Sequence, residues 1–305
     1  LESEDQFEGC VLGLALGDAL GAPFEGGAVE RLLWRLIGTT RAGEMRWTDD
    51  TQMSVDVAES LLARGAVDAD DLARRFARSY RWSRGYGPGA ARVLKKIAAG
   101  QDWQLANRSV YPEGSYGNGG AMRAPMLALF YARRPDALLE AVEQVTLITH
   151  AHPRGVEGAL LVATATLLSL RQADPLEILL AAGACSRHVE FTRSIDIAAT
   201  WLAAGVLPKP RQVAAELGNG IAAARSCVTA LFVALSFADR PFDEMLDFVT
   251  RCGGDTDTLG AMAGAVWGAR RGKAGLPLEK LRRLEQASRL STLSRALYSG
   301  RCAAA

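Results

Sequence analysis

Two stretches of this chain carry glycine at every fourth position, and that repeat restricts the fold more than any other feature. The first holds Gly9, Gly13, Gly17 and Gly21, and the second holds Gly260, Gly264 and Gly268. In a helix, four-residue spacing puts each set on one face. Each glycine costs roughly 1 kcal/mol against alanine in a helix interior, so something must offset the loss. Close approach of two helix backbones is the natural candidate. In a membrane such a face would signal helix pairing, but Asp18 interrupts the first stretch and neither stretch is long enough to span. No run of about 18 apolar residues is found, so no span is expected. The expectation is two glycine-faced helices in a tightly packed centre, one against the other.

The rest of the pattern is helical too. "RLLWRLIG" (31–38), "DLARRFARSYRW" (71–82) and "GAARVLKKIAAG" (89–100) place apolar residues three and four apart. "PDALLEAVEQVTLITH" (135–150) opens with proline, which suits a first helical turn. "GVEGALLVATATLLSL" (155–170) is apolar almost all round, as a central buried helix is. Breaks fall at "GAPFEGG" (21–27), "GYGPG" (85–89) and "YPEGSYGNGG" (111–120). No alternating strand pattern and no long polar linker interrupts the chain. A single all-α domain over residues 1–305 is expected.

Composition narrows the chemistry. The formal net charge is +1, which gives no reason to expect nucleic acid or an acidic membrane as a partner. Five cysteines (Cys10, Cys185, Cys227, Cys252 and Cys302) are scattered without a CxxC pair. This argues against a disulfide framework or a thiolate zinc site and for a reducing compartment. The acidic start "LESEDQFEGC" lacks the basic opening of a secretory signal, so a cytoplasmic location is expected. His150, His152 and His188 form no HxxxH pair. Any metal chemistry therefore rests mainly on oxygen ligands.

Oxygen ligands are concentrated in two places. "WTDDT" sets Thr48, Asp49, Asp50 and Thr51 just before a helix, and "GGDTDT" sets Asp255, Thr256, Asp257 and Thr258 before the second glycine-faced helix. Helix capping and first-turn acids account for one such residue per helix. Clustered carboxylates repel unless a cation sits among them, and oxygen-only sets suit Mg²⁺, Mn²⁺ or Ca²⁺. Capping and ligation both fit the spacing, and they need not compete. Asp255 or Thr256 can cap while Asp257 and Thr258 face ions. A third stretch, "GSYGNGGAMR" (114–123), is either an ordinary loop before a helix or a cradle of backbone N–H groups for an anion, and "GYGPG" is a weaker case. His150 reads as a dipole partner at a helix end and Glu25 as a loop charge when each is taken alone.

Taken together, "GLALGDALGAPFE", "WTDDTQM", "GSYGNGGAMR", "THAHPRG" and "GGDTDTLGAMAGAVWGA" resemble, in content and order, the ADP-ribosylglycohydrolases. The resemblance implies a compact, orthogonal multi-helix, all-α domain with a binuclear Mg²⁺ or Mn²⁺ site. It also implies an enzyme that cleaves ADP-ribose from an acceptor. Carried over by motif, Thr48, Asp49, Asp50, Asp255, Asp257 and Thr258 are the implied metal ligands. Ser115, Tyr116, Gly117, Asn118 and Gly119, with Gly87, are the implied ADP-ribose loop residues, and His150 the implied contact to the ribose or phosphate region. Glu25 matches an acid on a mobile loop implicated in catalysis, beside Asp49, Asp50 and Asp257. The implied partners are ADP-ribose and ADP-ribosylated proteins, and the chain is expected to be a monomer. "RGYGPG" with "GSYGNGGAMR" is more similar to the serine, poly(ADP-ribose) or O-acetyl-ADP-ribose type. An arginine-type hydrolase and a non-catalytic ADP-ribose-binding module are the alternatives.

Overall fold

The computed structural model describes residues 2–300. Among them the helices are α1 (Glu4–Gly21), α2 (Ala28–Ile37), α3 (Asp49–Arg64), α4 (Ala69–Ser79), α5 (Pro88–Ala98) and α6 (Trp103–Val110). There follow α7 (Ala124–Phe130), α8 (Leu138–Leu147), α9 (Pro153–Leu170), α10 (Pro175–Gly183), α11 (Val189–Ala203) and α12 (Pro210–Glu216). The chain closes with α13 (Cys227–Ser236), α14 (Phe242–Cys252), α15 (Thr256–Arg271), α16 (Leu278–Leu281) and α17 (Ala287–Ser299). No strand occurs among the described residues, only three isolated bridges. The all-α expectation holds. Pro135 opens a short 3-10 turn rather than α8 itself. Helices α6 and α17 lack a periodicity clear enough to have been expected.

The centre is the pair α1 and α15. Ser3 caps α1: its hydroxyl accepts from the Gln6 N–H, and the Gln6 carboxamide returns a bond to the Ser3 N–H. The two helices run antiparallel with their glycine faces in register. A methyl group placed on Gly9, Gly13 or Gly17 would lie 2.4, 2.3 or 2.0 Å from the carbonyl oxygen of Gly268, Gly264 or Gly260. The reverse placements are equally impossible, at 2.4 Å for Gly260, 2.1 Å for Gly264 and 2.0 Å for Gly268. Gly21 continues the register against the carbonyl of Thr256, whose hydroxyl donates to Gly21 at 2.9 Å. Backbone thus packs directly on backbone for four turns, which offsets the propensity cost of the glycines with dispersion over a long contact.

Around this axis the apolar side chains form one connected core running from Phe7 to Leu297. Trp267, on α15, is buried and donates its indole N–H to the Phe237 carbonyl at 3.0 Å. With the following turn, α1 is long and apolar enough to cross a bilayer by composition, contrary to the expectation from sequence, yet it lies largely inside the core. Cys10, Cys185, Cys227 and Cys252 are free thiols, and Cys302 lies outside the described residues.

A buried ion pair fixes the segment ahead of α3. Arg84 donates to both carboxylate oxygens of Glu285, at 2.6 and 2.8 Å, and lies over the Trp47 ring at 3.7 Å. The same guanidinium donates to the Trp47 carbonyl, and the Trp47 indole donates to the Glu285 carbonyl. Residues 45–48 are thereby tied to the run before α17.

The glycine register makes a direct prediction. Gly264→Ala should lower unfolding stability by about 3 kcal/mol or more through forced separation of the backbones. Gly220→Ala, whose new methyl would meet open space, should change it by less than about 1 kcal/mol. Equal urea midpoints for the two variants would contradict the backbone-contact account.

Candidate functional site

Asp18 sits one turn from the end of α1, fully buried. Its carboxylate accepts from the Thr48 N–H at 3.0 Å, the Thr51 N–H at 3.1 Å and the Thr51 hydroxyl at 2.5 Å. These are orphan donors at the start of α3, where a negative charge is favoured. Burial nevertheless pushes Asp18 up to about 6, with the Thr51 and Thr48 bonds opposing the rise. Thr48 is the cap of α3: its hydroxyl accepts from the Asp50 N–H and donates to Asp50 Oδ2 at 2.9 Å. Capping therefore explains Thr48. It leaves Asp49 half-buried at the mouth of a cleft and Asp50 buried behind it.

The second cluster arrives through an unusual turn. Gly253 and Gly254 both have positive φ, 68° and 78°. A side chain at Gly254 would collide with the Asn219 carbonyl, which accepts the Asp255 N–H at 2.9 Å. Asp255 occupies the cap position of α15, but its side chain makes no capping bond, and the Thr256 hydroxyl is spent on Gly21. Neither expected cap is formed, so the Asp255 carboxylate is left for the cleft, where Asn118 donates to it at 2.6 Å.

The two clusters meet. Thr258 donates from its hydroxyl to Asp50 Oδ2 at 3.4 Å, and Asp49, Asp255, Asp257 and Thr258 line one cleft. Glu25, on the loop after α1, completes a group with Asp255 and Asp257 in which one oxygen of each lies within 4.8 Å of the others. Sequence reading had set Glu25 apart from the ligand set, and it had seen in Asp18 only an interruption. Burial, then the charges of neighbouring carboxylates, holds Asp49, Asp50 and Asp257 well above the usual carboxylate range. Burial also raises Asp255, against the bond from Asn118.

The cluster fits divalent cations on two counts. Among the described residues, no Lys or Arg pairs with Asp18, Asp49, Asp50, Asp255 or Asp257. Asp50 Oδ1 is buried without a hydrogen-bond partner. A buried group of like charges with an unpartnered oxygen needs a cation or protons to persist, and hard oxygen donors match Mg²⁺ or Mn²⁺.

The opposite wall of the cleft is the loop Ser115–Gly119 with His150 behind it. A methyl group on Gly119 would lie 2.4 Å from the His150 ring, so glycine lets the loop lie flat on the imidazole. Arg123, fully buried, donates to the Gly119 carbonyl at 2.9 Å and the Thr149 hydroxyl at 2.8 Å. The same hydroxyl shares a hydrogen bond with His150 Nδ1 at 2.8 Å. Burial, with Arg123 nearby, pushes His150 down to about 3, so it is neutral at physiological pH. The end of the loop forms a 3-10 turn, Asn118–Gly120, and α7 begins only at Ala124, so the loop does not lead directly into a helix. Gly87, Gly89 and Tyr111 close the far side of the cleft.

Tyr116 departs from the expected set. It is half exposed and lines a neighbouring groove, with Arg154 over its ring at 5.0 Å and His152 at its edge. The cause is local pairing: the Tyr116 carbonyl accepts from Ala223 N–H, and Asn118 N–H donates to Ile221, pinning the loop against residues 221–223. Thr48 and Asp50 do not line the cleft but sit directly behind it.

Comparison with known proteins accords with this geometry. The chain matches the ADP-ribosylglycohydrolase family over residues 1–304. It is similar to the ADP-ribosylhydrolase ARH3 of Gallus gallus, at 34% identity over 89% of this chain and 87% of that protein. It is also similar to the ADP-ribosyl-[dinitrogen reductase] glycohydrolase of Rhodospirillum rubrum, at 29% identity over 92% of this chain and 90% of that protein. A solved structure described as an ADP-ribosylglycohydrolase-related protein complex superposes with a TM-score of 0.67 at 29% identity, covering 97% of this chain and 98% of that one. This chain belongs to the ADP-ribosylglycohydrolase family and is a glycohydrolase.

Proposed function

We propose that the chain is a divalent-metal-dependent hydrolase of the bond between ADP-ribose and an acceptor oxygen, as in serine-linked ADP-ribose, poly(ADP-ribose) or O-acetyl-ADP-ribose. The observation that carries this is the convergence of Asp49, Asp255, Asp257, Thr258 and Glu25 at one cleft whose other wall is a glycine loop. The oxygen-linked class is supported by the likeness of "RGYGPG" and "GSYGNGGAMR" to that type.

Asp49, Asp50, Asp255, Asp257 and Thr258 would hold two cations, Mg²⁺ or Mn²⁺, with Thr48 orienting Asp50 from behind. Bound there, the ions would supply Lewis-acid polarisation and offset the charge of the cluster. The chain's own groups do the rest. The Gly117 and Asn118 N–H groups are taken by the Ser115 hydroxyl and the Ile221 carbonyl, so the remaining N–H groups of the Ser115–Gly119 loop, with neutral His150 behind them, would form the wall suited to a diphosphate. Glycosidic cleavage passes through a transition state with positive charge on the ribose ring, which a wall of carboxylates favours. Glu25, on a loop rather than a helix, is the group placed to transfer a proton to the leaving oxygen or from the attacking water.

Two outcomes test this reading. Asp257→Ala should reduce release of ADP-ribose from a serine-linked peptide by at least about 10³-fold, with helical circular dichroism unchanged, and excess EDTA should do the same to the unaltered protein. Full activity in either case would sink the two-cation assignment. The raised carboxylates predict a second result. A carboxyl held above its usual range stays protonated further toward neutrality, so protons compete with the cation and are expelled by it. Mg²⁺ affinity should therefore climb as pH rises from about 5 to 8, and calorimetry in buffers of different ionisation enthalpy should register proton release. Affinity that is flat with pH, or proton uptake, would contradict the shifts.

A further inference from the structure

Residues 72–101 hold eight arginines and lysines and no aspartate or glutamate, in a chain whose net charge is only +1. Two of the eight are committed inside the fold: Arg75 pairs with Asp71, and Arg84 with Glu285. Among the described residues the rest form no ion pair. Packing gathers three of them. The ring of Tyr80, just after α4, meets that of Tyr86 at 4.9 Å, and Lys95 of α5 lies over Tyr80 at 5.8 Å. Arg92, one turn before Lys95, donates to the Pro88 carbonyl at 3.2 Å. Arg81 donates to the Tyr80 carbonyl at 2.8 Å and the Arg78 carbonyl at 3.0 Å. These acceptors are neutral, so each cation keeps its charge. Arg81, Arg92 and Lys95 are all exposed, and the Trp82 side chain next to Arg81 is 73% exposed.

The position of this face relates it to the cleft. Between Trp82 and Arg92 the chain runs through Gly85, Gly87, Pro88, Gly89 and Ala90, which line the cleft. A methyl group on Gly85 would lie 3.7 Å from Asp49 Oδ1, so this wall reaches the carboxylate end. That is the end at which the bond to the acceptor would be cut. What projects from the cleft there is the acceptor, not the nucleotide. Exposed cations beside an exposed indole suit a partner that brings carboxylates and some apolar surface, as a polypeptide does. The small net charge of the whole chain gives no long-range pull on a nucleic acid.

We propose that Arg81, Arg92 and Lys95, with Trp82 beside them, bind an acidic stretch of the acceptor polypeptide flanking the modified residue. The face thereby selects among acceptors by the charge of their neighbouring sequence. The proposal rests on the functional reading above, which sets the end of the cleft from which the acceptor projects.

Equilibrium binding tests the face apart from turnover. Two peptides, each with one serine-linked ADP-ribose, carry either Asp and Glu or Gln and Ser around that serine. They are titrated in EDTA into the unaltered protein and into the Arg81→Gln/Arg92→Gln/Lys95→Gln variant, both folded by circular dichroism. At about 50 mM salt the unaltered protein should bind the acidic peptide about tenfold more tightly than the neutral one, the sum that three exposed ion pairs supply. About 0.5 M salt should shrink that margin to less than about threefold. The triple variant should lose it at low salt, while its affinity for the neutral peptide stays within about twofold. Equal affinities for the two peptides in the unaltered protein, or a margin that survives either the salt or the substitutions, overturns the proposal. So does a variant that binds both peptides equally weakly, since the three residues would then serve the ADP-ribose or the fold. A single-stranded oligonucleotide held more tightly than the acidic peptide through the same three residues overturns the choice of a polypeptide. Release assays with Mg²⁺ report on the hydrolase reading alone. The expected margin without release upholds the face and overturns the activity, and release without a margin does the reverse.

Discussion

The contact between the glycine faces of α1 and α15 is the constraint on which the rest of the structure depends. It is a contact of main chain with main chain, with carbonyl oxygens occupying the space that Cβ atoms would need. Because the helices are antiparallel, the C-terminal end of α1 meets the N-terminal end of α15. That single fact brings Asp18, Glu25 and the Asp255–Thr258 run to one end of the fold. Asp18 then collects the donors at the start of α3, so the second acidic motif is fastened to the same end.

Electrostatically the result is costly and organised. Buried carboxylates without cationic side chains raise one another's proton affinity, and only a few threonine and asparagine bonds relieve them. Such a cluster is unfavourable as a structural element. Its persistence makes sense where a cation completes it. The wall opposite is the reverse: Arg123 is buried without a carboxylate partner, satisfied by carbonyl and hydroxyl oxygens, and burial, with Arg123 beside it, holds His150 neutral. Negative charge at one side and neutral donors at the other suit a ligand with a ribose at one end and phosphates further along.

Much of this was legible in the sequence, for identifiable reasons. Four-residue glycine spacing has few other uses in a helix, so the central pair was readable. Doubled Asp-Thr motifs exceed what capping requires, so a convergence of "TDDT" with "GDTDT" was readable as well. The partition between capping and ligation was not. Thr48 caps and Asp255 does not, and that depends on Gly253 and Gly254 turning the backbone before α15. Glu25 joins Asp255 and Asp257 only because α1 ends beside α15, and Asp18 acquires its role only from the donors of α3. Tyr116 faces away from its neighbours in the loop because residues 221–223 pair with it, a partner more than a hundred positions distant.

The backbone contact has one more consequence. In most sites the spacing of functional groups on different helices is set by the bulk of intervening side chains, and it drifts when those side chains change rotamer or are substituted. Here the spacing between the α1 end and the α15 end is set by the van der Waals radii of a carbonyl oxygen and a Cα. The pair acts as a ruler with no adjustable graduations. Substitutions throughout the outer helices can alter the surface and the grooves while Asp18 and the Asp255–Thr258 run keep their separation, so that part of the site's geometry is insulated from change almost everywhere except at the glycines themselves.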